Sequence, residues 1–212
     1  MKLKYLFVAI FMVVYLWYCS LYPDHRVPAT IALFLALVVV LLLPSVYSIL
    51  WETNIRRLER YLLAHRSKPE VYLYYVVGNE LDEEVEQCIH MLLVQHKSAS
   101  KQALFRTVLA FHRKNLVEVQ EEIKLIRPQA YSDYYRAALQ IELGHIQAAL
   151  QIIEGIPKLW MRNALLYDIK RRAGEIEEAQ ALAEQCLSQV RGLQKYILFR
   201  TFQRHLPTLQ SE

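Results

Sequence analysis

Ser98, Ala99, Ser100 and Lys101 form the run SASK, which fits the Ser-x-x-Lys pattern of serine acyl enzymes. That chemistry needs partners, among them a Lys-Thr-Gly strand, and the sequence has no such tripeptide. Either serine serves better as an N-cap, its hydroxyl accepting from a free amide of the helix that carries Leu104 and Val108. Cys88, His90, His96 and His112 raise metal ligation, but a helical site wants ligands three or four residues apart on one face. None of the seven histidines has a His-x-x-x-His partner, and no two of the three cysteines have zinc-ribbon spacing. Phosphate cradles need glycine-rich loops, whereas the five glycines here are never closer than 11 residues apart. The acidic runs ELDEEVE (80–86) and EIEE (175–178) fall where helices should start, so their charge complements a helix dipole. No catalytic residue, metal ligand or cofactor is assigned. Enzyme chemistry would require a clustered nucleophile, base and orienting group, and no motif supplies one.

The elements that could position a site are all helical by pattern. Tyr5–Tyr22 is 18 residues without a charge, and Val27–Trp51 is another 25. Roughly 20 apolar residues cross a bilayer core, so residues 1–51 are expected to form a two-helix transmembrane hairpin, with helices at about 5–22 and 27–51. The first run starts with Lys2 and Lys4 but lacks small residues for signal cleavage or a lipobox at Cys19, so it is expected to be retained. The linker PDHRVP carries Arg26 against Asp24, while Lys2, Lys4, Arg56, Arg57, Arg60, Arg66 and Lys68 flank the hairpin. Flanking positive charge stays inside, which predicts both termini on the cytoplasmic face of a membrane of bacterial type. The basic stretch 56–68 sets topology and could touch lipid, and residues 52–69 form a juxtamembrane helix and linker. Pro44 is a possible kink in the second span.

Residues 52–212 carry 22 Lys and Arg against 20 Asp and Glu, too balanced for nucleic-acid binding. Beyond Trp51, apolar residues recur at spacings of three and four, and VYLYYVV (71–77), although strand-like in composition, lacks a partner and is read as a short helix. Asn115, Gly144 and Gly174 lie 29 and 30 residues apart, each at a position suited to a left-handed turn. Val117, Ile146 and Ile176 follow two residues later, and Ile123, Ile152 and Leu182 eight residues later. Pro128 and Pro157 should stop the second helices of the first two units, and a weaker unit begins near Asn79. Helix–turn–helix units at a fixed period of this length signal an α-solenoid.

Gly144 with Ala149, and Gly174 with Ala179, resemble the tetratricopeptide repeat family, which has a turn glycine followed five residues later by a small alanine. The alanine lets the second helix cross close to the first. The resemblance covers roughly 99–191, with Gln120 and Glu84 in the alanine place of earlier units and Asp133 and Asn163 where a bulky aromatic would stand. Together with the hairpin expected from the uncharged runs, it implies an all-α fold: a transmembrane hairpin followed by a tetratricopeptide-like α-solenoid over 70–212, closed by a capping helix at 192–205. In that family the first helices line a groove for a peptide or partner helix. By position this groove would hold Gln102, Phe105, His112 and Arg113, then Tyr131, Tyr134 and Glu142, then Asp168, Arg171 and Arg172. The expected role is a membrane-anchored scaffold or adaptor for protein partners, with no nucleic acid and no small-molecule substrate. The rival is an accessory subunit of a transport or secretion complex whose hairpin packs against other subunits.

Overall fold

The structure, a computed structural model, describes residues 51–206 continuously and residue 209; before them it describes residues 14, 15, 17, 18, 20, 30, 31, 34, 35, 38, 46, 47, 49 and 50. The chain divides into two compact units, Met1–Ile49 and Leu50–Glu212. In the first unit the described residues are helical. The Tyr15 and Thr30 hydroxyls lie 2.7 Å apart. Among the described residues no helix is long and apolar enough to cross a membrane. The expected spans, 5–22 and 27–51, fall largely outside the described residues, as do Cys19 and Pro44.

The second unit is all-α among its described residues. Its helices are α1 (Ile55–Ala64), α2 (Pro69–Gly78), α3 (Asp82–Gln95), α4 (Ala99–His112), α5 (Gln120–Ile123), α6 (Gln129–Glu142), α7 (Ile146–Glu154), α8 (Leu159–Arg172), α9 (Ile176–Gln189) and α10 (Gly192–Gln203), with a 3₁₀ turn at Leu116–Val119 just before α5. VYLYYVV lies within α2, where Pro69 occupies the first turn and the helix is apolar on all sides because it packs against α1, α3 and α10. Helices α2–α3, α6–α7 and α8–α9 are antiparallel hairpins, and α4 pairs with the 3₁₀ turn and α5. The second helices end at Ile123 and Glu154, a few residues before Pro128 and Pro157.

One turn motif joins every pair. Positive φ occurs at Glu80 (52°), Lys114 (56°), Gly144 (77°) and Gly174 (80°). At each, the residue's own N–H donates to the carbonyl three residues back, and the next N–H donates to the carbonyl five residues back, as in Asn115 to Ala110 (2.9 Å) and Glu175 to Lys170 (3.0 Å). This is a Schellman ending, which satisfies carbonyls that the first helix would leave bare. The structure therefore corrects the expected turn at Asn115: its φ is −139°, and the left-handed residue is Lys114. The spacing between left-handed residues becomes 34, 30 and 30.

The corrected register aligns the core. Five, nine and twelve residues after each left-handed residue stand Val85, Ile89 and Leu92; Val119, Ile123 and Ile126; Ala149, Ile153 and Ile156; and Ala179, Ala183 and Cys186. All are buried except the half-buried Val119. Gln120 and Glu84, expected in the alanine place, are thus one residue out of register, with Val119 and Val85 there instead. Such a three-point stripe buries one face of a helix and leaves the other to solvent.

The last helix does more than cover the end of the array. Helix α10 packs against α9 and also reaches back onto α1 and α2. Tyr196 is fully buried there; its hydroxyl accepts from Asn79 Nδ2 (2.9 Å) and donates to Glu59 (3.4 Å). Arg200 donates to the same Glu59 carboxylate at 2.6 Å, and Arg204 pairs with Glu80 in the first turn. At the start of α10, Gly192 N–H donates to Glu52 carbonyl at 2.8 Å. A capping helix was expected at 192–205, and α10, in that place, joins the last hairpin to the first helices.

Candidate partner-binding site

The residues expected to line a free groove are engaged within the unit. Gln102 donates to the Leu93 and His96 carbonyls (3.3 and 2.9 Å), tying down the end of α3. Phe105 lies against the His96 ring and packs on Val76, Val85, Cys88 and Ile89. His112 Nε2 contacts Asp82 Oδ1 at 2.7 Å, and Arg113 pairs with Glu86, so α4 grips α3 at two points. Glu142 accepts from Leu116 N–H (3.0 Å), supplying the cap that the 3₁₀ turn lacks from its own Asn115.

Tyr131 lies beneath Lys158, whose Nζ is 4.7 Å from the ring centroid. Tyr134 meets Tyr135 (5.3 Å), Trp160 (6.3 Å) and Phe111 (6.5 Å) in an aromatic cluster between α4, α6 and α8. Burial in this cluster pushes the phenols of Tyr134 and Tyr135 far above their ordinary range, so both stay protonated. Asp168 accepts from Arg171 (2.6 Å) and Arg172 (2.9 Å), a local fork on one helix. Seven of the ten residues thus tie neighbouring elements together, while Asp168, Arg171 and Arg172 pair within α8.

The motif residues have similarly local roles. Ser98 occupies the N-cap position of α4 but makes no capping bond, and Ser100 accepts from Arg127 N–H at 2.8 Å. Cys88 is buried in the α2–α4 core, His90 is exposed on α3, and His96 contacts Glu70 (2.6 Å) and Lys101 (3.3 Å). Asp82, Glu83 and Glu84 open α3, and Glu177 and Glu178 open α9, as expected for charges at helix starts. Lys170 binds both Glu175 and Glu178 (2.5 and 2.7 Å), which raises the lysine's pKa and lowers that of Glu178.

An open groove lies elsewhere, between α3 and α4. It encloses about 640 Å³ and is lined by Ile89, His90, Met91, Leu93, Leu109 and Arg113 with Glu86 and Gln87. Only Arg113 belongs to the expected set. Helix α3 exposes Met91 (43 %) in this lining and Val94 (58 %) beside it, large apolar side chains that the register does not require for the core. The signal was present in CIHMLLVQ (88–95), which is apolar on more than one face. The buried stripe uses Cys88, Ile89 and Leu92, and Leu93 packs against that core, so Met91 and Val94 are surplus. Glu86 and Arg113 set one polar edge, and methionine adapts its shape to whatever lies against it.

No family model matches the chain, and neither a curated protein nor a solved structure matches it significantly. The functional reading rests on the geometry.

Proposed function

We propose that this chain is a membrane-anchored helical adaptor of tetratricopeptide type that docks a protein partner at the cytoplasmic face. Residues 1–51 act as the transmembrane hairpin, an assignment supported by the length and lack of charge of the runs 5–22 and 27–51 and by the Tyr15–Thr30 contact. The observation that carries the adaptor role is the α3–α4 groove, with Ile89, Met91, Leu93 and Leu109 in its lining and Val94 exposed beside it. The lining runs over residues 86–93 of α3, about 12 Å, enough to seat about two turns of an amphipathic partner helix. Arg113 and Glu86 at the edge would select the polar residues flanking the partner's apolar face.

The test is site-specific photocrosslinking in native membranes, with a benzophenone amino acid at Met91 or Val94 and, for comparison, at exposed Lys158. A discrete adduct from 91 and 94 but not 158, lost on Val94→Asp with the thermal midpoint unchanged, is the expected result. Adducts of equal yield at all three sites would refute the groove assignment.

A further inference from the structure

Helix α1 begins four residues after Trp51, and its charges are sorted by face. Ile55, Leu58 and Leu62 are buried against the unit. Both neighbouring acids are consumed internally. Glu52 is buried, with Oε1 accepting from Thr53 and Asn54 N–H at 3.0 Å, and Glu59 is held by Arg200. Arg56, Arg57 and Arg60 are left on the exposed side, with Arg66 and Lys68 exposed in the following turn. Arg57 has a long contact with Glu52 (3.7 Å); Arg56 and Arg60 meet no carboxylate among the described residues. The Glu52–Gly192 hydrogen bond brings exposed Arg191 to the same end of α1.

This arrangement opposes helix electrostatics. The first turn of α1 carries no acid and contains two arginines, at the end where the macrodipole is positive. Among the described residues Glu52 offsets part of that repulsion through its long contact with Arg57, and Arg56 and Arg60 are left for an external anion. Immediately before α1, Leu50 (53 %) and Trp51 (47 %) are exposed, and tryptophan beside arginine is the pairing found at a membrane–water interface.

We infer that the arginine face of α1, with Arg191, lies on the anionic phospholipid headgroups of the membrane and holds the helical unit against the bilayer surface. This rests on the hairpin reading for its geometry. A basic side chain near an anionic surface gains about fivefold in partitioning, so Arg56, Arg57 and Arg60 together contribute on the order of a hundredfold. The contact weakens with salt, because headgroup charge is screened within about 10 Å at 0.1 M.

The test uses the full chain with Cys19→Ser and Ala64→Cys, carrying a fluorophore on the thiol introduced at position 64 and reconstituted into vesicles. Quenching by a headgroup-nitroxide lipid is read in neutral phosphatidylcholine and in vesicles containing phosphatidylglycerol. Strong quenching only with the anionic lipid is expected. It should be lost in Arg56→Gln/Arg57→Gln/Arg60→Gln and at high salt, but kept in the equal-charge control Lys97→Gln/Lys101→Gln/Arg106→Gln. Circular dichroism establishes that each variant is folded. Equal quenching in both vesicles, or a triple variant like its parent, would overturn the inference. Alkaline carbonate extraction reads the hairpin separately: release of the chain while arginine-dependent, anionic-lipid-dependent quenching persists refutes the hairpin and leaves the headgroup contact standing.

Discussion

Replacing a turn residue tests the corrected repeat register in opposite directions. At Gly144, φ is +77° and an added Cβ meets nothing within 4 Å, so Gly144→Ala introduces backbone strain without a clash. Left-handed backbone is unfavourable for an L side chain by about 1–2 kcal/mol, partly offset by about 0.4–1 kcal/mol because alanine restrains the unfolded chain. The net loss is about 1 kcal/mol, a thermal midpoint lower by about 2–4 °C for a unit of this size. Gly174, also open around its Cβ position at φ +80°, should behave alike. Asparagine at either site should cost less than alanine, since it tolerates this backbone. Lys114 is the mirror case: it already bears the strain at φ +56°, so Lys114→Gly should stabilise by about 0.5–1 kcal/mol. Asn115→Gly, outside the left-handed region, should not stabilise. Equilibrium urea unfolding followed at 222 nm, with an unchanged denaturant slope, supplies the numbers. Destabilisation by Lys114→Gly, or stabilisation by Asn115→Gly in its place, would refute the assigned register.

Other perturbations read different joints. Tyr196→Phe removes the hydroxyl shared by Asn79 and Glu59 and should lower stability by about 1 kcal/mol in urea unfolding, with Tyr196→Ala costing about 3–5 kcal/mol. A double-mutant cycle of Glu59→Gln with Arg200→Met should show coupling of about 1 kcal/mol, because both groups are partly exposed. Burial pushes the Cys186 thiol up to about 12 from a reference of 9.0, so the unfolded chain loses this proton first as pH rises. Its contribution is intact below pH 9 and falls between pH 9 and about 12, and Cys186→Ala should flatten the stability profile there. In the folded chain, Cys186 should react with iodoacetamide at pH 8 on the order of a thousandfold more slowly than an exposed thiol, read site by site by mass spectrometry.

The helical character of the second unit was legible because its apolar spacing is set by burial within each hairpin. Even VYLYYVV yielded, since a strand without a partner cannot satisfy its backbone. Two turns were legible because glycine marks a left-handed residue. Lys114 and Glu80 carry no such mark: lysine and glutamate are held at positive φ by the hydrogen bonds of the turn, and Asn115 was the plausible wrong choice beside them. The return of α10 onto α1 and α2 was invisible because it pairs residues such as Glu59 and Arg200, 141 apart, which no local pattern links. The internal contacts of the expected groove residues were hidden for a related reason. Tyr134, Glu142 and Gln102 have the right types for recognition, but neighbouring hairpins use the same groups as braces.

The bond from Gly192 to Glu52, with Arg200 on Glu59, changes how the unit should come apart. In a linear array each hairpin touches only its neighbours, so the ends fray first and loss spreads inward one repeat at a time. Here the terminal helix is clasped to the first, and neither end can fray without opening that clasp. The second unit should therefore melt as a single cooperative body. Truncating α10 should also expose α2 at the far end of the chain to hydrogen exchange while α6 and α7 stay protected.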